Sequence, residues 1–232
     1  MWNVHTWSGS ARDFHASDLV IDTALWQVVV DAPAIVIGSS QSELVIDADS
    51  ARASGYDVVH RRTGGGAVLV NDSALWVDLT LPRDHRWWVD DVSKSMLWLG
   101  RAWVSTLQKI SEIQGTSEDL PEMIMHEGAM VRNALSDDVC FAGVAPGEVL
   151  VNNRKLVGIS QRRSREGARF QCVVYRHWDA SWLCHMNQLR QMNQLNNSVE
   201  IVAACGLDDI GIHASFDDLV TGLSSVLNTL DN

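Results

Sequence analysis

Apolar positions recur along this chain with two different periods, and the change from one to the other marks its elements. Residues 90–114, DDVSKSMLWLGRAWVSTLQKISEIQ, repeat apolar side chains every three or four positions behind an acidic start, which predicts a long amphipathic helix. FDDLVTGLSSVLNTL, near the end, predicts a second. Residues 15–31, HASDLVIDTALWQVVVD, also carry apolar positions at helical spacing and are expected to form a helix ending before Pro33. APAIVIGSSQ reads as a buried strand running into a loop, DADSARASG as a short helix stopped at Gly55, and DVVHRR as a strand. AVLVNDSALWVDLTLP predicts two antiparallel strands joined through Asn71-Asp72-Ser73. EVLVNNRKLVGISQRR predicts a hairpin turning at Asn152-Asn153, and FQCVVYRHW a further strand. The polar stretch HMNQLRQMNQLNNSVE, residues 185–200, is expected to be an exposed helix or a connector. Paired strands flanked by helices predict an α+β fold around a largely antiparallel central sheet. No composition break divides residues 1–232, so one domain is expected.

Composition narrows the function. Hydrophobic residues make up 46% of the chain and charged ones 20%, enough apolar material for a real core. No apolar run approaches the ~20 residues of a membrane span. The start, MWNVHTWSGSARDFHAS, lacks the basic flank and apolar stretch of a signal peptide, so a cytoplasmic protein is expected. A net charge of −11 argues against a nucleic-acid partner. Arg162, Arg163, Arg165 and Arg169 nevertheless make a local basic patch. Trp87, Trp88, Trp98 and Trp103 share one segment and are expected to serve packing. The cysteines, Cys140, Cys172, Cys184 and Cys205, show neither CxxC pairing nor a metal-ligand rhythm.

The stretch His60–Asp72, HRRTGGGAVLVND, is where chemistry is concentrated. Three adjacent glycines cost conformational entropy, but they let backbone N–H groups approach a ligand closely. Arg61 and Arg62 beside them offer charge-assisted bonds to a carboxylate or phosphate. The spacing is neither that of a phosphate-binding loop ending in Gly-Lys-Ser/Thr nor GxGxxG. A glycine-rich hairpin turn with solvated arginines is the plain alternative.

HRRTGGGAVLVND, followed later by RKLVGISQRR and preceded by AIVIGSSQ, resembles the lipoate–protein ligase A family, within the wider biotin/lipoyl ligase and octanoyltransferase group. The likeness runs from about Ala34 to Val174. It implies a biotin/lipoyl ligase-like (class II synthetase-like) catalytic domain. Arg61, Arg62, Thr63, Gly64, Gly65, Gly66, Ala67 and Asp72 would then line the pocket for the acyl chain and its adenylate. Lys155, with Gly158 and Gln161 around it, would meet the acyl carbonyl and phosphate, and an ammonium there stabilises the oxyanion of acyl transfer.

The family contains two chemistries. Ligases activate lipoate with ATP and Mg2+ as lipoyl-AMP and pass the acyl group to a lysine of a lipoyl domain; no residue is assigned here to the metal. Octanoyltransferases take octanoate from acyl carrier protein onto a cysteine first. VCFAGVAPGEVLVNNRK is similar to the cysteine loop of one transferase branch, with Cys140, Phe141, Glu148 and Lys155 in the corresponding order. GGGAV is closer to the ligase form, and Gly66, where that branch carries a bulkier residue, is expected to make room for a nucleotide. ATP-dependent lipoate or octanoate ligation is therefore the first expectation, and thioester transfer through Cys140 the alternative. A non-catalytic paralogue that binds lipoyl domains or acyl groups is the third. The family's usual His-Gly pair is replaced here by Cys172-Val173, and its Asn-Asp pair by Gly147-Glu148. The implied partners are lipoyl domains of 2-oxoacid dehydrogenase acyltransferase subunits, the glycine cleavage H protein, and acyl carrier protein for a transferase. Such domains are often acidic, so Arg163 and Arg165 are expected to steer them.

Overall fold

The computed structural model describes residues 1–118, 120–188 and 203–231. Its strands form two sheets. The larger runs in the order β1 (Asn3–Gly9), β2 (Ala24–Val30), β6 (Ala74–Pro82), β10 (Gly167–Tyr175), β9 (Arg154–Arg163), β8 (Val149–Val151), β7 (Met123–Met125). Only its edge pair β1–β2 is parallel. The smaller places β3 (Ala34–Ile37) between β4 (Asp57–His60), which is parallel to it, and β5 (Val68–Val70), which is antiparallel. Helices α1 (Ala11–Ala16), α2 (Ala48–Ala53), α3 (Leu97–Gln114) and α4 (Phe216–Asp231) complete the frame. The α+β architecture with a largely antiparallel sheet is the one the sequence predicts.

The period of two along a strand decides which side each residue serves. On β6, Leu75, Val77, Leu79 and Leu81 pack with Phe170, Cys172 and Val174 of β10 against helices α3 and α4, through Leu99, Trp103, Leu107, Leu223 and Leu227. The alternate residues Trp76, Val173 and Tyr175 face the smaller sheet, meeting Val36, Val68 and Val70. The smaller sheet's outer face, Ile35, Ile37 and Leu69, packs with Ala51 of α2, Leu135 and Trp182. The seam between the two sheets is where the functional residues gather.

Local expectations hold where a turn or a long repeat fixes them. Asn152 and Asn153 take φ of 50° and 61°, the pair of left-handed residues that a tight β8–β9 hairpin needs. Helix α3 closes on Gly115 at φ 70°. It begins at Leu97 rather than residue 90, because Asp91 accepts bonds from the backbone and hydroxyl of Ser93 and holds a turn there.

Two expectations are corrected. Residues 15–31 are not a helix: α1, capped by Ser10, ends at Ala16, and ALWQVVV forms β2 between β1 and β6. Its β-branched residues and pairing on both sides outweigh the helical spacing. AVLV and ALWVDLTLP are both strands, but they do not pair with each other. The Asn71–Ala74 turn, with the Ala74 amide donating to the Asn71 carbonyl at 3.0 Å, carries the chain from one sheet to the other. Most of residues 185–200 lies outside the described residues. Among the described residues no helix is long and apolar enough to cross a membrane.

Candidate active site

The arginine–glycine loop is built around its own first arginine. Arg61 is 5% exposed, and its Nη2 donates to the carbonyls of Gly64 at 2.9 Å and Gly66 at 2.8 Å. Gly65 at φ 97° lets the chain curl around that guanidinium, and its carbonyl would lie 1.9 Å from a Cβ on Gly38. Thr63 Oγ1 anchors the loop to the larger sheet by donating to Gln171 Oε1 at 2.7 Å. Gln171 Nε2 donates to the carboxylate of Asp78, its register partner across β6–β10, at 3.1 and 3.2 Å. Asp78, fully buried, also accepts from Trp76 Nε1 at 2.6 Å and pairs with Arg169. Burial pushes its carboxyl up from the usual range, against the pull of Arg169.

The cysteine loop lies directly on the glycines. The Ala67 amide donates to the Asp138 carbonyl at 2.7 Å, and the Cys140 amide to the Ala67 carbonyl at 2.9 Å. Gln41 adds a clamp: its Oε1 accepts from the Gly38 amide at 2.8 Å while Nε2 donates to the carbonyls of Asp137 and Asp138. A Cβ on Gly66 would meet the carbonyl carbon of Val139 at 2.5 Å and the amide nitrogen of Cys140 at 2.6 Å. The side of Gly66 on which a Cβ would stand is therefore filled by the cysteine loop.

Lys155 supports that loop from behind. Only 2% exposed, its Nζ donates to the Cys140 carbonyl at 2.8 Å and pairs with Glu148 Oε2 at 2.6 Å, 5.4 Å from the centre of the Phe141 ring. Glu148 is satisfied on both oxygens, accepting from the amides of Ala145 at 2.7 Å and Ile159 at 3.1 Å.

Between the sheets lies a narrow cavity of about 30 Å³. Val36, Val68, Val70, Trp76 and Val173 make its apolar wall; Arg61, His15, Gln171 and Ser160 add polar groups, and Cys140, Phe141 and Gly158 close it. Of the predicted residues, then, Arg61, Cys140 and Gly158 line the cavity, with Thr63, Ala67, Lys155 and Glu148 packed behind them. Others face elsewhere. Gly64 supplies only its carbonyl, and Gly65 borders a separate surface groove. Arg62 pairs with Asp18, Asp72 is exposed in the β5–β6 turn, and Gln161 bonds Ser95 and the Val92 carbonyl. Arg163 lies over Trp88 at 4.0 Å and donates to the carbonyls of Val89 and Asp90, while Arg165 is exposed.

The sequence reading missed His15, Trp76, Asp78, Ser160 and Gln171. Asp78 carried a signal, an acid in an otherwise apolar strand. His15 carried none. Its ring stacks on Trp76 at 4.8 Å between centroids, and burial, with Arg169 and Arg61 nearby, holds it down at about 3 from an ordinary 6.5. Burial also lowers the Arg61 guanidinium from its ordinary value, an effect opposed by the neighbouring Cys140 thiol. Among the other thiols, Cys172 and Cys205 are raised by burial, Cys205 to about 11, and neither lines the cavity.

Comparison with known proteins places the fold. In fold, the chain is similar to a lipoate–protein ligase from Thermoplasma acidophilum, Ta0514, described as putative and with lipoic acid bound, at a TM-score of 0.64 and 16% identity, covering 97% of this chain and 85% of that one. It is equally similar to a lipoate-protein ligase A bound with ATP (TM-score 0.64, 16% identity, 97% and 85% covered). LipL1 of P. falciparum in complex with lipoate gives a TM-score of 0.64 at 13% identity, covering 99% of this chain and 62% of that one. No curated protein sequence matches. The model of the lipoyl protein ligase A/B catalytic domain matches residues 15–228, and the chain belongs to that family.

Two outcomes test this geometry. Gly66→Ala forces the cysteine loop to shift and is expected to cost about 1–3 kcal/mol in chemical denaturation; an unchanged midpoint would contradict the contact. His15 is neutral in the fold and gains its proton on unfolding, so its contribution makes stability fall as pH drops from 6.5 toward about 3. His15→Leu should therefore lose less stability than wild type between about pH 6 and pH 4.5, the gap growing by roughly 1 kcal/mol per pH unit. Parallel urea-unfolding curves would refute that neutral state.

Proposed function

We propose that the chain transfers a medium-length acyl group, octanoyl or lipoyl, to one lysine of a lipoyl-bearing domain, and that Cys140 carries the acyl group as a thioester in between. The observation that carries this reading is the place of the thiol: Cys140 is half-buried in the wall of the cavity, next to the Arg61 guanidinium. The apolar seam between Val36, Val68, Val70 and Val173 suits a hydrocarbon chain in chemistry, and its walls would part to admit eight carbons.

In the first step Cys140 Sγ, as thiolate, attacks the carbonyl of an acyl thioester on a carrier such as acyl carrier protein. The bond to the carrier's sulfur breaks, and that sulfur leaves as a thiol with the proton Cys140 gave up. In the second step the neutral amine of the acceptor lysine attacks the Cys140 thioester. An amide forms, and the amine's proton returns to the Cys140 sulfur. Neither step needs ATP. Arg61 Nε is buried without a partner in a residue that lines the cavity, a donor available to the oxyanion of either step. Lys155 then acts as a positioning residue, holding the Cys140 carbonyl while Glu148 holds its ammonium.

The acceptor would be a lipoyl domain of a 2-oxoacid dehydrogenase or the glycine cleavage H protein. The groove lined by Arg62, Arg162 and Arg163, with Arg165 exposed in the turn between β9 and β10, is the basic face that an acidic domain of this kind would meet.

A second reading, ATP-dependent ligation of lipoate, is favoured by the likeness in fold to a ligase with ATP bound and by the presence of the Arg-Thr-Gly-Gly-Gly loop followed by Lys155 in this chain. On that reading Mg2+ would ride on the nucleotide's phosphates, and Lys155 would release Glu148 to reach the acyl phosphate. The two are separated by turnover. With octanoyl-acyl carrier protein and a lipoyl domain, and no ATP, the wild type is expected to acylate the domain and Cys140→Ser to lose at least about 10³-fold in rate. Pyrophosphate release from lipoate, ATP and Mg2+, with Cys140→Ser fully active, would replace the thioester route by the adenylate.

A further inference from the structure

One residue of the cavity is idle in the chemistry above. His15, on the last turn of α1, is 6% exposed and lines the same space as Cys140. The reacting thiol has Arg61 and Tyr175 beside it. Stacking on Trp76, itself crossed edge-on by Phe14 at 5.1 Å, fixes the imidazole's plane.

The polar groups around it are already engaged with one another. Thr63, Gln171, Asp78, Trp76 Nε1 and Ser160 form one bonded chain, which Arg169 joins through its Nε. His15 Nε2 stays outside that chain: it is buried with no hydrogen-bond partner in the protein. Several buried tryptophan N–H groups also lack partners. Among the described residues, however, only His15 and Arg61 both line this cavity and carry such an atom. Arg61 adjoins the thiol, and His15 Nε2 is the second unpaired atom of the wall. A buried polar atom left unpaired costs free energy, and a wall of valines offers it nothing.

We infer that His15 reads the acyl chain, its Nε2 bonding a heteroatom carried by that chain, so that the cavity selects a chain bearing a ring sulfur or a hydroxyl over a plain hydrocarbon of the same length. The inference rests on the cavity being the acyl site. A neutral imidazole can donate or accept at Nε2 according to its tautomer, which suits either heteroatom. Ring sulfur has a further attraction here, because sulfur packs favourably against aromatic rings and Trp76 lines the cavity beside His15.

Calorimetric binding of octanoic, 8-hydroxyoctanoic and lipoic acids to the intact chain tests this. Wild type is expected to hold at least one heteroatom-bearing acid about tenfold more tightly than octanoic acid. His15→Leu should abolish that preference, so that the three acids bind it with equal affinity. His15→Gln, which keeps a polar amide, should retain part of it, and the better-bound acid tells sulfur from hydroxyl. Equal affinity of wild type for all three acids, or a preference that survives His15→Leu, would overturn the role of His15 and leave the acyl cavity standing. If no acid binds wild type, the acyl-site reading falls and this inference with it.

Discussion

The buried pair of Lys155 and Glu148, tied to the Cys140 carbonyl, is the contact on which the rest of the site depends. Both side chains are 2% exposed and 2.6 Å apart. Taking two charges out of water costs several kcal/mol each, so such a pair is poor evidence of added stability. What it supplies is position. Glu148 is held by the amides of Ala145 and Ile159, and Lys155 Nζ projects from β9 to the cysteine loop. The loop in turn lies on Gly66 and Ala67, and the glycine loop wraps Arg61. Removing either charge would leave the other buried and uncompensated, typically at a cost of about 3–5 kcal/mol. The thiol and the guanidinium thus meet because an ion pair fifteen residues further along the chain fixes the loop between them.

The two-sheet architecture explains why this machinery borders an apolar space. The outward face of β6 and β10 is committed to helices α3 and α4, so the inward face is left to the smaller sheet. Valines from β3, β5 and β10 supply the wall, and Ser160 and Gln171 of the larger sheet add polar side chains to it, with Asp78 bonded to Gln171. Buried polar groups must be bonded. Most of these bond one another and so brace the Arg61–Thr63 segment from below.

Much of the frame was legible in the sequence because it is encoded locally. The α3 repeat, the Asn152-Asn153 turn, the Arg-Gly loop and the motif around Lys155 are each contained in a short run of adjacent residues. What was not legible depends on distant register. Asp78 and Gln171 meet only because β6 and β10 pair in one alignment, 93 residues apart. β5 looks like the hairpin partner of β6, yet a three-residue turn sends it to β3, and only the second sheet's existence decides that. The glycine pattern predicts the close approach of a ligand, whereas the group that approaches Gly66 is the protein's own backbone.

Intact-protein mass spectrometry after mixing the chain with an octanoyl carrier, with no acceptor present, tests the role of Cys140 most directly. A single octanoyl adduct is expected, located on Cys140, released by hydroxylamine as a thioester must be, and absent from Cys140→Ser. Acylation of an added lipoyl domain by that same variant, with no adduct on the wild type at any time, would contradict it.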